Sequence, residues 1–294
     1  MKITEVRVFL TGPSRNYTLV KILTDDPEIY GVGDGTVNGS EPLVAAALEH
    51  FAPLLIGRDP AAIEDIWQTI YGATYWRGGV VYVAALAAID LALWDIKGKV
   101  AGLPVYQLLG GASRDTVAVY GHAHGPTVEA AEASARNLME QGYKYVRVQL
   151  DGGYGGYGGP GMVRHTDSTA EGHRGVDYFA PEPYLISTPR LFEHLRSKLG
   201  GEINLLHDVH EQLLPIEAAR LAKDLEPYRL FYLEDALRPE HKEGFEVIRR
   251  YSTTALAIGE IFTSRGDCLP LFQRQLIDFI RIAPIHVGGI TEAR

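Results

Sequence analysis

Hydrophobic and polar positions alternate along Ile3–Leu10 and again along Asn16–Thr24, and the two runs are separated by the turn residues Gly12, Pro13 and Ser14. The chain therefore opens with a predicted β-hairpin. A glycine-rich stretch from Gly31 to Gly39 reads as a loop, after which the apolar positions recur with helical period over 41–55, 60–72 and 79–101. The last of these is rich in alanine and followed by Gly102 and Pro104, which predicts a buried helix with a sharp stop. An antiparallel sheet followed by helices is an α+β domain, expected over residues 1–115.

From Thr116 the pattern changes to strand signals in alternation with helical ones, the signature of a parallel β/α fold. Strands are expected at 117–122, 143–150, 203–209, 230–236, 256–260 and 279–283, with helices at about 127–141, 189–199, 215–226, 240–251 and 265–275. The fold class is thus an α/β chain: a (β/α) barrel domain over 116–294 behind an N-terminal α+β domain. Only about six of eight β/α units are present, since these 179 residues fall short of the roughly 250 of a complete barrel. The segment 151–188 has no period; it begins with seven glycines around Tyr154 and Tyr157, the composition of a functional loop.

Three acids close short apolar runs at equal steps of 26 residues: Asp208 in INLLHD, Glu234 in LFYLED and Glu260 in ALAIGE. That step is about one β/α unit, so the three carboxylates are expected at the carboxyl ends of successive strands, where barrels carry their chemistry. Three converging carboxylates would repel one another unless a cation joined them, and hard oxygen ligands suit Mg²⁺. His210 lies two residues beyond Asp208, on the same face if the strand continues, while His207 points away. Its imidazole can transfer a proton or steady Asp208. Arg147 and Gln149 share a face near the end of the second barrel strand, and a guanidinium there can hold a carboxylate, lower the pKa of a phenol from Tyr157 or Tyr154, or make a structural ion pair. Asn38, His122, His124 and Arg281 are polar groups at places where a substrate could be read.

The formal charge of −9 argues against a nucleic-acid partner, which would need clustered cations. Cys268 is the only cysteine and reads as a buried thiol; without a disulfide, a signal peptide or a membrane span, a cytoplasmic protein is expected.

The pieces GDGTVNG, IEDIWQTIYGATYWRGG, AAIDLALWDIKGK, LPVYQLLGG, VYGHAHG, LLHDVH, FYLED, AIGEIF and QLIDFIR together resemble the mannonate dehydratase branch of the enolase superfamily, over almost all 294 residues. The resemblance implies a capping domain on a barrel that binds Mg²⁺ through Asp208, Glu234 and Glu260. It also implies an acid-sugar dehydratase of the mannonate or gluconate type, which removes the proton beside the carboxylate and eliminates water to a 2-keto-3-deoxy acid. By the same resemblance Arg147 and Tyr157 are the base pair, His210 the acid, and Asn38, His122 and Arg281 substrate contacts; the partners implied are an acid-sugar substrate and further copies in a dimer, tetramer or octamer. Arg147-Val-Gln149 in place of a Lys-x-Lys pair speaks against racemases and cycloisomerases. The departures are Glu211-Gln212 after His210, Ala236 after the LED motif, and His286 without a family counterpart. With the seventh and eighth strands missing, the expectation is either a truncated version of a longer protein or a remnant needing a partner, and a chain really ending at Arg294 is expected to be poorly soluble and inactive. The alternatives are an inactive metal-binding or regulatory homologue, or an epimerase on the same scaffold.

Overall fold

A computed structural model describes residues 1–12, 16–151, 162–163 and 178–294. The chain divides into two compact units: residues 1–115 with 259–269 and 282–294, and residues 116–258 with 270–281.

In the first unit, β1 (Ile3–Thr11) pairs antiparallel with β2 (Tyr17–Thr24), as the alternation predicts. A third strand, β3 (Tyr30–Asp34), continues the sheet where a loop was expected. Glycine normally weakens a strand. Here Gly31 and Gly33 are required, because α3 (Val80–Ala101) crosses β3 at backbone contact: a Cβ on either glycine would fall on the carbonyl oxygen of Ala92 or Ala88. α1 (Glu41–Phe51) and α2 (Ile63–Gly72) pack with α3, whose alanines are buried on nearly every side. The short α4 (Val105–Leu108) follows, and Gly102 in left-handed conformation ends α3 as its sequence requires. The closing segment is held to α3 and α2: the Asp90 carboxylate accepts from the Thr291 amide (3.1 Å) and hydroxyl, and Trp67 Nε1 donates to the Gly288 carbonyl at 2.8 Å. Burial pushes Asp90 up to about 6.

The second unit holds a six-stranded parallel sheet in the order β11-β10-β9-β8-β5-β4, the α/β arrangement expected of an enolase-type barrel. Its strands are β4 (Gly121–Gly125), β5 (Tyr145–Leu150), β8 (Asn204–Asp208), β9 (Tyr232–Glu234), β10 (Leu256–Ile258) and β11 (Phe279–Ile280). A two-stranded ribbon, β6 (Met162–Val163) with β7 (Tyr178–Phe179), stands apart from that sheet. β4 starts four residues later than its apolar pattern suggested, since its ladder with β5 opens at the pair Gly121–Val146. Between the strands lie α5 (Val128–Glu140), α6 (Pro181–Leu199), α7 (Pro215–Leu225), α8 (Phe245–Tyr251) and α9 (Arg265–Gln273), and α10 (Ile290–Ala293) ends the chain. α6 begins eight residues before its expected start at Pro189. The proline removes one amide donor inside the helix. The stripe Tyr184, Leu185, Thr188, Leu191, Phe192 and Leu195, buried at helical spacing, outweighs that loss. Cys268, expected to be buried, is half-exposed on α9.

No helix among the described residues is long and apolar enough to cross a membrane.

Candidate active site

The strand ends of the second unit gather charge that has no access to bulk water. Glu234 on β9 is fully buried, Asp208 on β8 and the following Asp235 nearly so, and oxygens of the three lie within 4.8 Å of one another. Asp208 and Glu234 are paired in register and so share a face of the sheet. Strict alternation would send Asp235 to the opposite face, but its φ of +42° turns the chain out of the strand and brings its carboxylate back. The Glu-Asp dipeptide was visible in the sequence; the backbone reversal that makes its second acid part of the cluster was not.

Two guanidiniums lie among the carboxylates. Arg147 Nη1 donates to Asp208 Oδ2 at 2.9 Å and to Glu234 Oε1 at 3.1 Å, and Arg281 Nη1 lies 2.8 Å from Glu234 Oε1 and 3.2 Å from Asp235 Oδ2. Even so, burial and the neighbouring Glu234 and Asp235 charges hold the Asp208 carboxyl well above the ordinary carboxylate range, against the pull of Arg147. Three buried carboxylates whose oxygens lie this close repel one another beyond what the two guanidiniums offset, so these residues fit a divalent cation.

The surrounding polar groups are tied to this network. Arg147 Nη2 donates to His122 Nδ1 at 3.1 Å, and the His122 ring stacks on Tyr120. The Tyr120 hydroxyl accepts from Arg281 Nη2 at 3.0 Å, a contact that no sequence motif signals. Gln149 Nε2 donates to the Asp208 carbonyl at 2.8 Å, in keeping with its expected face. His207 is buried between Val148 and Tyr184: its Nδ1 lies 2.9 Å from the Val148 carbonyl and its Nε2 2.7 Å from the Tyr184 hydroxyl, and burial lowers its pKa to about 4. A neutral imidazole donating from Nδ1 and accepting at Nε2 satisfies both partners, and it ties β8 to β5 and α6.

The condition under which His210 was expected to share the face of Asp208, a strand continuing past it, is not met. β8 ends at Asp208, and His210 and Glu211 have φ of +52° and +65°, so the simple strand parity does not govern the imidazole. Its amide instead donates to Asp208 Oδ1 at 2.8 Å, and the side chain is exposed. Asn38 and Glu260 belong to the first unit: Asn38 is exposed in the turn before α1, and half-buried Glu260 follows β10 by two residues. The Glu260 carbonyl lies 3.2 Å from His286 Nδ1, and His286 Nε2 is 3.2 Å from the Thr36 carbonyl. Tyr157 and Tyr154 lie outside the described residues.

Residues 7–110 match the N-terminal domain of mandelate racemase and muconate lactonizing enzyme, and residues 130–294 match the enolase C-terminal domain-like family. The chain belongs to the enolase superfamily. Within it the relatives are sugar-acid enzymes: a D-mannonate dehydratase of Caulobacter sp. (strain K31) is 49% identical over all of this chain and 73% of its own length. A D-galactonate dehydratase family member of Cellvibrio japonicus is 47% identical, again over the whole chain and 74% of that protein. Among solved structures, an enolase from Pantoea ananatis with bound D-gluconate and Mg superposes with a TM-score of 0.88 at 44% identity, covering 99% of this chain and 73% of its own. This superfamily member thus spans about three quarters of the length of these relatives, and it falls in their acid-sugar dehydratase family.

Proposed function

We propose that the chain is a Mg²⁺-dependent hydro-lyase acting on acid sugars of the mannonate or gluconate type. The observation that carries this reading is the buried carboxylate cluster at the strand ends, with Arg147 bridging Asp208 and Glu234, in a chain whose relatives are sugar-acid dehydratases. Asp208 and Glu234 would hold the ion, and the sequence step of 26 residues nominates Glu260 as the third ligand. When bound, Mg²⁺ supplies Lewis-acid stabilisation to the negative charge that grows on a substrate carboxylate.

The chain's own groups divide the proton transfers. Tyr157, as the phenolate that the Arg147 guanidinium would stabilise, takes the proton from the carbon beside the carboxylate and becomes the phenol. His210 gives a proton to the hydroxyl on the next carbon, which leaves as water, and the enol that remains tautomerises to the 2-keto-3-deoxy acid. Asn38, His122 and Arg281 would contact the substrate. Arg281 already offers its guanidinium beside Glu234 and Tyr120, where an anionic ligand would meet a donor. A cytoplasmic setting and a closed homo-oligomer complete the reading.

Incubating the protein as a full-length chain with Mg²⁺ and a panel of six-carbon acid sugars, D-mannonate and D-gluconate included, tests it by formation of a 2-keto-3-deoxy acid. Product from at least one of them is expected. Absence of product from every member would favour a non-catalytic homologue. Exchange of the C2 proton with solvent deuterium and no dehydration would favour an epimerase.

A further inference from the structure

A histidine–aspartate pair stands in the same level of the sheet as the carboxylate cluster and has no part in the chemistry above. His124 Nδ1 lies 2.8 Å from Asp151 Oδ1, with the two side chains 72% and 48% exposed. An ion pair so open to solvent adds little to stability. Its position is more informative. His124 is paired with Gln149 across β4 and β5, Gln149 donates to the Asp208 carbonyl, and Asp208 is paired with Glu234. Residues in register on parallel strands share a face, so His124 looks onto the same side of the sheet as Asp208 and Glu234. It does so from two strands away, roughly 10 Å between main chains at the usual strand spacing. A six-carbon chain is about 6 Å long when extended, from five bonds of about 1.5 Å, and spans that gap with hydrogen bonds at its ends.

We propose that His124, oriented by Asp151, binds the hydroxyl groups of an acid-sugar substrate remote from its carboxylate, and so selects long polyhydroxylated acids over short ones. This rests on the acid-sugar reading of the site. The Asp151 carboxylate accepts from Nδ1–H, which fixes the tautomer and leaves Nε2 as an acceptor for a substrate hydroxyl. Asp151 is a positioning residue: it continues the parity of Arg147 and Gln149 past the end of β5, and its amide donates to the Gly125 carbonyl at 2.9 Å. A carboxylate with only two carbons would reach the acidic cluster without reaching His124.

Calorimetry in Mg²⁺ with two probes, D-gluconate and the two-carbon hydroxy acid glycolate, tests this on the full chain. His124→Ala should weaken D-gluconate binding about tenfold, the value of one good hydrogen bond, and leave glycolate and Mg²⁺ affinities unchanged. His124→Gln, which keeps an acceptor, should recover part of the loss, and Asp151→Asn should fall between wild type and His124→Ala. Wild-type affinity of His124→Ala for D-gluconate would overturn the proposal and leave the acid-sugar reading standing. Equal weakening of both probes would also overturn it, by making the pair structural. If the wild-type chain binds neither probe, the proposal and the acid-sugar reading fall together.

Discussion

Replacing Arg147 by methionine isolates what the guanidinium does for the carboxylate cluster. The arginine side chain is 8% exposed, and one of its nitrogens serves both Asp208, at 2.9 Å, and Glu234, at 3.1 Å. Methionine keeps most of the apolar stem, so lost packing is a minor part of the effect. What disappears is the charge shared by two buried carboxylates. Removing one partner of a buried pair costs about 3–5 kcal/mol because the other charge is left uncompensated. Against a total stability of about 5–15 kcal/mol, that is a large fraction. The unfolding midpoint in denaturant with a chelator present should therefore drop steeply for Arg147→Met. Added Mg²⁺ should recover a substantial part of the loss, since a dication among the same oxygens replaces the missing charge. Arg147→Lys, which keeps the charge but not the planar fork, should lose only about 1 kcal/mol and serves if the methionine variant does not accumulate. An unchanged midpoint in chelator, or a loss identical with and without Mg²⁺, would refute the view that Arg147 neutralises a cation site.

Other substitutions probe separate links. Glu234→Gln should abolish Mg²⁺ binding by calorimetry, and retained tight affinity would remove Glu234 from the ligand set. Gly33→Ala should cost about 3 kcal/mol or more in thermal unfolding, because the new methyl meets the Ala88 carbonyl, whereas Gly72→Ala, with open space around it, should be neutral or mildly stabilising. Asp90, raised from 3.8 to about 6 by burial, is bound to its proton more tightly in the folded chain than in the unfolded one. Its contribution is therefore greatest below pH 4 and falls away, by about 3 kcal/mol, as pH rises through 6. Asp90→Asn should flatten that part of the stability profile, and parallel curves for the two proteins would contradict the assignment. Tyr157→Phe should stop proton abstraction with metal affinity intact; if Tyr154→Phe does so instead, the base is the other phenol.

Apolar periodicity made most of the fold readable, since burial decides which faces of a strand or helix carry hydrophobic side chains. α3 and β5 follow their patterns to within two residues. β3 was hidden because its glycines answer to a helix far away in sequence, and no local pattern records that demand. The early start of α6 was hidden by Pro189, a local breaker overruled by a buried stripe. At the site, equal spacing singled out Asp208 and Glu234, and strand parity put Gln149 on the correct face. Parity has no hold where the chain leaves the strand in a left-handed conformation, at His210 and at Asp235. The His124–Asp151 pair needed the register of β4 against β5, which exists only once the sheet has formed.

The hydrogen bond from the His210 amide to Asp208 Oδ1 joins two parts of the site that sequence treats as separate. His210 and Glu211 both adopt a backbone conformation that costs non-glycine residues of order 1–3 kcal/mol, and the neighbouring amide–carbonyl pairs, Val209 to Glu234 and Glu211 to Asp235, hold them there. The Asp208 carboxylate, proposed above as an oxygen donor to the ion, is thus also the brace of the turn that carries the imidazole. Longer or shorter acids at position 208 would move that turn even if they kept their charge. On the proposed assignment of Asp208 to the ion and His210 to the leaving group, metal specificity and leaving-group protonation could not be retuned one at a time at this position; an engineer seeking a different cation would have to rebuild the 208–211 turn together with its ligand.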